Sequence, residues 1–265
     1  MTTTPSSDES LLALQQIAIQ AAHEGGQILQ DWVGRFSVSE KRKADLVTEA
    51  DHASQQRIFD IISGQFPNHG FLGEEGLNKA AVDSDFRWVI DPLDGTSNYV
   101  HGFPYYAVSI AVERAGQLVV GVIFDPTRDE TFAATYQGGA TLNGKKITTS
   151  GETQLSKTMG MASLPVGADG SDPAVKRFLA AMSHLQTVQR SGSAALNLAC
   201  VASGRIDTFW STSLKPWDVA AGLLLVQEAG GTVTNLQGGS IDIMVPSHLA
   251  ACSQSIADGI VSIFE

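Results

Sequence analysis

The sequence predicts an α/β fold in which helices and sheets are layered and two halves share a cleft. Three observations predict it. A long helical stripe opens the chain, a run of strands and hairpin turns fills its middle, and strands alternate with helices beyond about residue 150. That change of character divides the chain into residues 1–150 and 151–265.

The first seven or so residues are polar and lack an apolar signal core, so they read as a loose tail. Leu11, Leu14, Ala18, Ala21, Gly25, Ile28 and Trp32 then recur at helical spacing and give one apolar stripe. Gly25-Gly26 within it implies close packing by another element, because glycine otherwise weakens a helix interior by about 1 kcal/mol. A second helix is expected over residues 52–65, ended by Pro67-Asn68. Gly73-Glu74-Glu75-Gly76 reads as a loop. Trp88-Val89-Ile90 opens a strand that runs into Asp91, and residues 107–113 and 118–124 flank Ala115-Gly116 as a hairpin. A further strand covers 131–136, and Asn143-Gly144 is a two-residue hairpin turn. Helices follow at 173–182, 193–203 and 216–229, the last with Pro216 in its first turn and Gly230-Gly231 at its end. Strands are expected at 187–190, 206–210 and 232–234, and a final strand and helix between 249 and 264.

Of the 265 residues, 43% are hydrophobic, enough for a sizeable core. The 28 acids outnumber 17 bases, and the longest basic run is Lys41-Arg42-Lys43, which argues against a nucleic-acid partner. No apolar run is long enough for a membrane span. Two cysteines, Cys200 and Cys252, make no disulfide framework and show no metal-ligand spacing, so a cytoplasmic setting is the expectation. An acidic chain that handles an anion needs local positive charge, which a bound divalent metal supplies.

Carboxylates stand at four element ends: Asp51, Glu74-Glu75, Asp91 with Asp94, and Asp218. Two acids flanking a sharp turn can hold a hard cation through oxygen. The Gly95-Thr96-Ser97 that follows can open a helix whose N–H groups accept phosphate. Each acid also has an ordinary reading. Asp51 can cap its helix, Glu74 and Glu75 can be solvated, Asp218 suits a helix dipole, and Asp91 and Asp94 suit a β-turn. The six histidines, His23, His52, His69, His101, His184 and His248, form no cluster, which argues against Zn²⁺ and against a phosphohistidine route.

Taken together, the motifs resemble those of the inositol monophosphatase family. Asp91-Pro92-Leu93-Asp94-Gly95-Thr96, preceded by Trp88-Val89-Ile90, fits its acid-Pro-aliphatic-acid-Gly-Thr signature. Lys215-Pro216-Trp217-Asp218 ahead of Gly230-Gly231 fits its Trp-Asp signature, and Gly73-Glu74-Glu75 its Gly-Glu-Glu. Asp45-Leu46-Val47-Thr48-Glu49-Ala50-Asp51 is similar to its Asp-x-Val-Thr-x-x-Asp, and Gly192-Ser193-Ala194 to its Gly-Ser/Thr-Ala.

The resemblance implies the alternating layers of inositol and sugar phosphatases, and a Mg²⁺-dependent, Li⁺-sensitive phosphomonoesterase that forms a homodimer. It implies two to three Mg²⁺ ions. Glu74, Asp91 and the carbonyl of Leu93 would hold one, and Asp91, Asp94 and Asp218 a second. A third would be bound mostly by water near Glu74. Asp51 and Thr96 would position and deprotonate the attacking water, and the amides of Gly95 and Thr96 would bind phosphate. Asp94, the backbone near Ala194, and the residue seven positions before Asp218 would contact the substrate. That last position carries an acid in the family and is Ser211 here. Serine is shorter and uncharged, so the implied substrate range is broad or shifted among small polyol and sugar phosphates. Histidinol phosphate, fructose bisphosphate and nucleotide bisphosphates are the alternatives, and a non-catalytic binding protein is the reading from another class.

Overall fold

The computed structural model describes residues 10–42 and 45–265. The N-terminal stretch read as a tail lies outside the described residues.

Helix α1 (Leu11–Trp32) starts at Ser10, whose side chain accepts from the Ala13 N–H, and it buries Leu14, Ala18, Ala21, Ala22 and Leu29. A hairpin of β1 (Val38–Arg42) and β2 (Asp45–Thr48) follows. The sequence reading passed over it because the alternation there is polar. Helix α2 (Glu49–Gln65) begins three residues before the expected start at 52, because Thr48 and Asp51 form a reciprocal capping box. Asp51 therefore lies in the first turn and is not the cap itself. Gly25 and Gly26 do face other elements: a Cβ there would press on Ile58 of α2 and on Phe124.

Then come β3 (Gly70–Gly73), β4 (Asn78–Lys79), β5 (Phe86–Asp94) and the short helix α3 (Thr96–Val100). Strands β6 (Ala107–Arg114), β7 (Gln117–Asp125), β8 (Glu130–Thr135), β9 (Gly139–Leu142) and β10 (Lys145–Lys146) continue as an antiparallel meander. Both expected hairpin turns form, with Ala115-Gly116 and Asn143-Gly144 at positive φ. These strands make an eight-stranded sheet in the order β10-β9-β8-β7-β6-β5-β3-β4.

The rest of the chain forms β11 (Met159–Ser163), α4 (Pro173–Met182), β12 (Thr187–Gln189), α5 (Ala194–Ala202), β13 (Thr208–Ser211), α6 (Pro216–Glu228), β14 (Thr232–Thr234), β15 (His248–Ala251) and α7 (Gln254–Phe264). A five-stranded sheet results, ordered β12-β11-β13-β15-β14. Strand β11 was not expected from sequence. Its Met-Gly-Met-Ala-Ser run has no β-branched residue, and Gly160 leaves room for Trp210.

The layers follow from what each helix touches. Helices α1 and α2 cover one face of the large sheet, α5 and α6 lie between the two sheets, and α4 and α7 cover the far face of the small sheet. One apolar core joins Val89, Ile123 and Phe132 of the large sheet to α5, α6 and Phe209 of the small one. Among the described residues no helix is long and apolar enough to cross a membrane. Cys200 and Cys252 are both free thiols.

The approach of α6 to the large sheet is fixed by Gly121. A Cβ there would lie 2.6 Å from the Ala221 carbonyl oxygen and 3.1 Å from its Cα, backbone atoms that cannot step aside alone. Gly121→Ala is expected to cost about 1–3 kcal/mol, as overpacking does. The check is a thermal melt, in which an unchanged Tm would show that the layer spacing is not set there.

Candidate metal and phosphate site

Along a regular strand, positions 91 and 94 would point to opposite faces of the sheet. The β5–β6 register shows why they do not. Asp91 pairs with Ser109 and Asp94 with Ala107, with an irregularity between them. Three steps along β5 thus oppose two along β6, which is a bulge of one residue at Pro92-Leu93. Proline donates no N–H to a ladder and is tolerated at a bulge. The extra residue resets the alternation and brings both carboxylates to one side. The turn expected between the two acids is therefore a bulged continuation of the strand.

Helix α6 supplies the third acid. Asp218 is its third residue, and its Oδ2 accepts from the Lys215 N–H at 2.8 Å. Carboxylate oxygens of Asp91, Asp94 and Asp218 lie within 4.8 Å of one another. Asp94 is gripped from the other side by α5. The Ser193 hydroxyl, N-cap of that helix, donates to Asp94 Oδ2, and the Ala195 N–H donates to the same oxygen at 2.8 Å. The Asp91 Oδ1 accepts from the Leu93 N–H at 3.0 Å.

The electrostatics of this cluster is unfavourable without a counter-charge. Burial raises the Asp91 pKa well above the ordinary carboxylate value, and the charges of Glu74, Asp94 and Asp218 add to it. Burial lifts Asp94 to about 6 despite its bond from Ser193. Burial and the charge of Asp94 lift Asp218 to about 7. An all-oxygen, all-anionic donor set held this close fits a hard divalent cation such as Mg²⁺. Glu74 is not one of the three clustered acids. It is half-buried beyond β3, its N–H donates to the Ile90 carbonyl at 3.2 Å, and its charge is felt by Asp91.

The turn after the bulge carries the next group. Gly95 has φ of 97° and caps α3. A Cβ at Gly95 would lie 3.1 Å from the Tyr105 carbonyl oxygen, so both conformation and space call for glycine. The Thr96 hydroxyl lies 3.1 Å from the Leu93 carbonyl and 3.4 Å from Asp51 Oδ1. Asp51 is fully buried, and its other oxygen accepts from both the N–H and the hydroxyl of Thr48. Burial raises its pKa, partly offset by those two bonds. Sequence motifs 45 residues apart, at Asp51 and Thr96, thus meet.

Sequence reading did not find the groups that brace this turn. Asn98 donates to the carbonyls of Tyr105 and Ser191, at 2.7 and 2.9 Å. Asn197 accepts from the hydroxyls of Ser191 and Tyr105. Ser193 had a legible signal, a serine just ahead of an apolar helix. Asn98 and Asn197 had none. Ala194 is buried at the start of α5, where its N–H helps hold Asp94 ionised. Ser211 is fully buried at the end of β13, and its Oγ accepts from the Ser213 N–H at 3.3 Å.

The chain matches the inositol monophosphatase family over residues 11–265. It belongs to that family. An inositol-1-monophosphatase of Mesorhizobium japonicum is 43% identical over 233 residues, covering 86% of this chain and 87% of the relative. A protein named Nus factor SuhB from Pseudomonas aeruginosa is 40% identical over 243 residues, 89% of each. The crystal structure of the extragenic suppressor protein suhB from Bartonella henselae superposes with a TM-score of 0.90 at 38% identity, covering 96% of this chain and 98% of that one. The layered α/β architecture is thus that of inositol monophosphatases and SuhB proteins. Family membership supports a phosphatase, and the family is Mg²⁺-dependent. The acid triad suits that ion.

A pH dependence follows for the metal-free protein. Asp94 and Asp218 ionise at about 6 and about 7 when folded, above the 3.8 of a free aspartate. Between those values the folded state holds protons that the unfolded state has released, so stability falls as pH rises through this window. Thermal melts in EDTA should show a falling Tm between pH 4 and 7, and saturating Mg²⁺ should remove most of the fall. Parallel profiles with and without Mg²⁺ would contradict the assigned site.

Proposed function

We propose that the protein is a Mg²⁺-dependent phosphomonoesterase acting on inositol monophosphate or a similar small polyol or sugar phosphate. The observation that carries this reading is the triad of Asp91, Asp94 and Asp218 beside the Asp51–Thr96 pair. Asp91, Asp94 and Asp218 would hold one Mg²⁺. Glu74, Asp91 and the Leu93 carbonyl would hold a second, with a third nearby on water. Ions bound there would supply charge neutralisation, an acidified water and stabilisation of the leaving alkoxide.

The chain's own groups do the positioning. The Leu93 carbonyl accepts from Thr96 and has a second lone pair to offer. The Thr96 hydroxyl, anchored between Leu93 and Asp51, orients the attacking water. Asp51 takes up its proton, and the raised pKa makes it the better base for that step. The amides of Gly95 and Thr96 bind the phosphoryl oxygens, and the absence of a Cβ at residue 95 lets the turn close on Tyr105. Residues 1–150 thus provide most of the ligands, while residues 151–265 provide Asp218 and the side facing the leaving alcohol.

The Ser211 position bears on substrate choice. It is uncharged and occupied within its own turn, which favours a broad or shifted range over strict inositol selectivity. A cytoplasmic homodimer sensitive to Li⁺ completes the reading, which requires no nucleic acid and no membrane.

The test is phosphate release from inositol 1-phosphate, glycerol 2-phosphate, histidinol phosphate and fructose 1,6-bisphosphate, with Mg²⁺ and with EDTA. Release should depend on Mg²⁺. Asp94→Asn should lower it at least 100-fold, on the scale of losing a group that stabilises transition-state charge (roughly 10²–10³), with the fold intact by circular dichroism. Near-normal turnover in Asp94→Asn would reject the site. No metal-dependent release from any monophosphate would favour a binding role.

A further inference from the structure

Three polar residues stand in one row across the small sheet. Ser163 of β11 pairs with Ser211 of β13 in the parallel register, and Ser211 pairs with His248 of β15 in the antiparallel register. Alternation tells which way they face. Met161, Phe209 and Ala250, two residues away on each strand, belong to the core formed with α5 and α6. Ala162, Trp210 and Leu249, one residue away, belong to the core on the α7 side. The row therefore faces the α6 layer. It lies at the end of β13 from which the chain enters α6 and reaches Asp218, so it is on the metal side of the sheet.

His248 is the unusual member. Only 1% of its surface is exposed, and neither ring nitrogen has a hydrogen-bond partner among the described residues. Buried polar groups are nearly always paired, so an imidazole with two unpaired nitrogens points to a group that arrives from outside the chain. Burial pushes its pKa down to about 4 against the opposing charge of Asp242, so the ring is neutral near pH 7. A neutral imidazole offers one donor and one acceptor. With Ser163 and Ser211 alongside, the row carries no charge. It matches a hydroxyl, which also donates and accepts, better than it matches an ion.

We propose that His248 is a specificity-determining residue that hydrogen-bonds a hydroxyl of the leaving alcohol, on a wall shared with Ser211. This rests on the phosphomonoesterase reading above. Both side chains are closed to solvent, so the proposed contact requires the adjoining turn, residues 212–215, to yield to the substrate. The row takes over the role that the resemblance gives to an acid at position 211, with a neutral donor–acceptor pair instead of a carboxylate.

The experiment compares wild type with His248→Val, which removes both nitrogens and suits a strand, and His248→Asn, which keeps one donor and one acceptor. Values of kcat/KM are measured for inositol 1-phosphate and for 4-nitrophenyl phosphate, whose leaving group bears no other hydroxyl. The inositol-to-nitrophenyl ratio should fall roughly three- to tenfold in His248→Val, the worth of one neutral hydrogen bond. It should recover in part in His248→Asn. An equal change for both substrates would mean a merely structural histidine and overturn the proposal. A binding readout separates this from failure of the phosphatase reading. The His248 ring signals in NMR, assigned by their loss in His248→Val, should shift on adding inositol 1-phosphate and not on adding inorganic phosphate. If wild type releases no phosphate, the phosphatase reading fails by itself. The absence of that shift would overturn the His248 contact whatever the activity.

Discussion

Three carboxylates held within 4.8 Å of one another, two of them almost fully buried, are the constraint around which the protein is arranged. Such a cluster opposes folding, because desolvation and mutual repulsion both disfavour the charged forms. It persists only where the surrounding structure over-determines the geometry. The bulge at Pro92-Leu93 turns Asp94 to the side of Asp91. The first turn of α6 brings Asp218 from 124 residues further along than Asp94 (218 − 94). The N-terminus of α5 then fixes Asp94 with a hydroxyl and an amide.

That arrangement explains the layer order. Helices α5 and α6 must lie between the two sheets, because their N-termini deliver Ser193, Ala195 and Asp218 to the edge where β5 breaks register. Their small and apolar residues, Ala194, Ala195, Ala199, Ala220 and Ala221 among them, let both sheets approach closely. The polar braces at Asn98 and Asn197 tie the turn of α3 to the segment entering α5. Buried hydrogen bonds thus brace the site where phosphate and metal are proposed to be held. The wall proposed to face the leaving alcohol is built differently, on strand ends beside the turn after β13, where Ser211 and His248 lie.

Under the proposed function, this division would separate reaction from selectivity. The parts read as catalytic are drawn from β5, α2, α3 and α6, and each is fixed by backbone geometry or a buried hydrogen bond. The parts read as selective sit on the small sheet. Relatives with inositol monophosphatase and SuhB names share the scaffold, so the scaffold alone does not name a substrate.

The sequence by itself determined the elements whose signals are local. The stripe of α1, the two-residue hairpin turns and proline at the start of α6 could all be read directly, as could the acids at 51, 74, 91, 94 and 218. Their chemistry was legible because the motifs carry the donor atoms in order. Other features depended on contacts between distant residues, to which a linear pattern is blind. Strand β11 has no β-branched residue, and its Gly160 is set by the closeness of Trp210 rather than by strand propensity. The start of α2 moved to admit a capping box. The Asp91–Asp94 pair looked like a turn, and only pairing with β6 reveals a bulge that resets a two-residue period. His248 was one of six scattered histidines until the register placed it opposite Ser211, with both nitrogens unpaired among the described residues. Which donor atoms are present is a property of the chain. Which of them converge, and which buried groups are left without a partner, is settled only when strands far apart in sequence are set side by side.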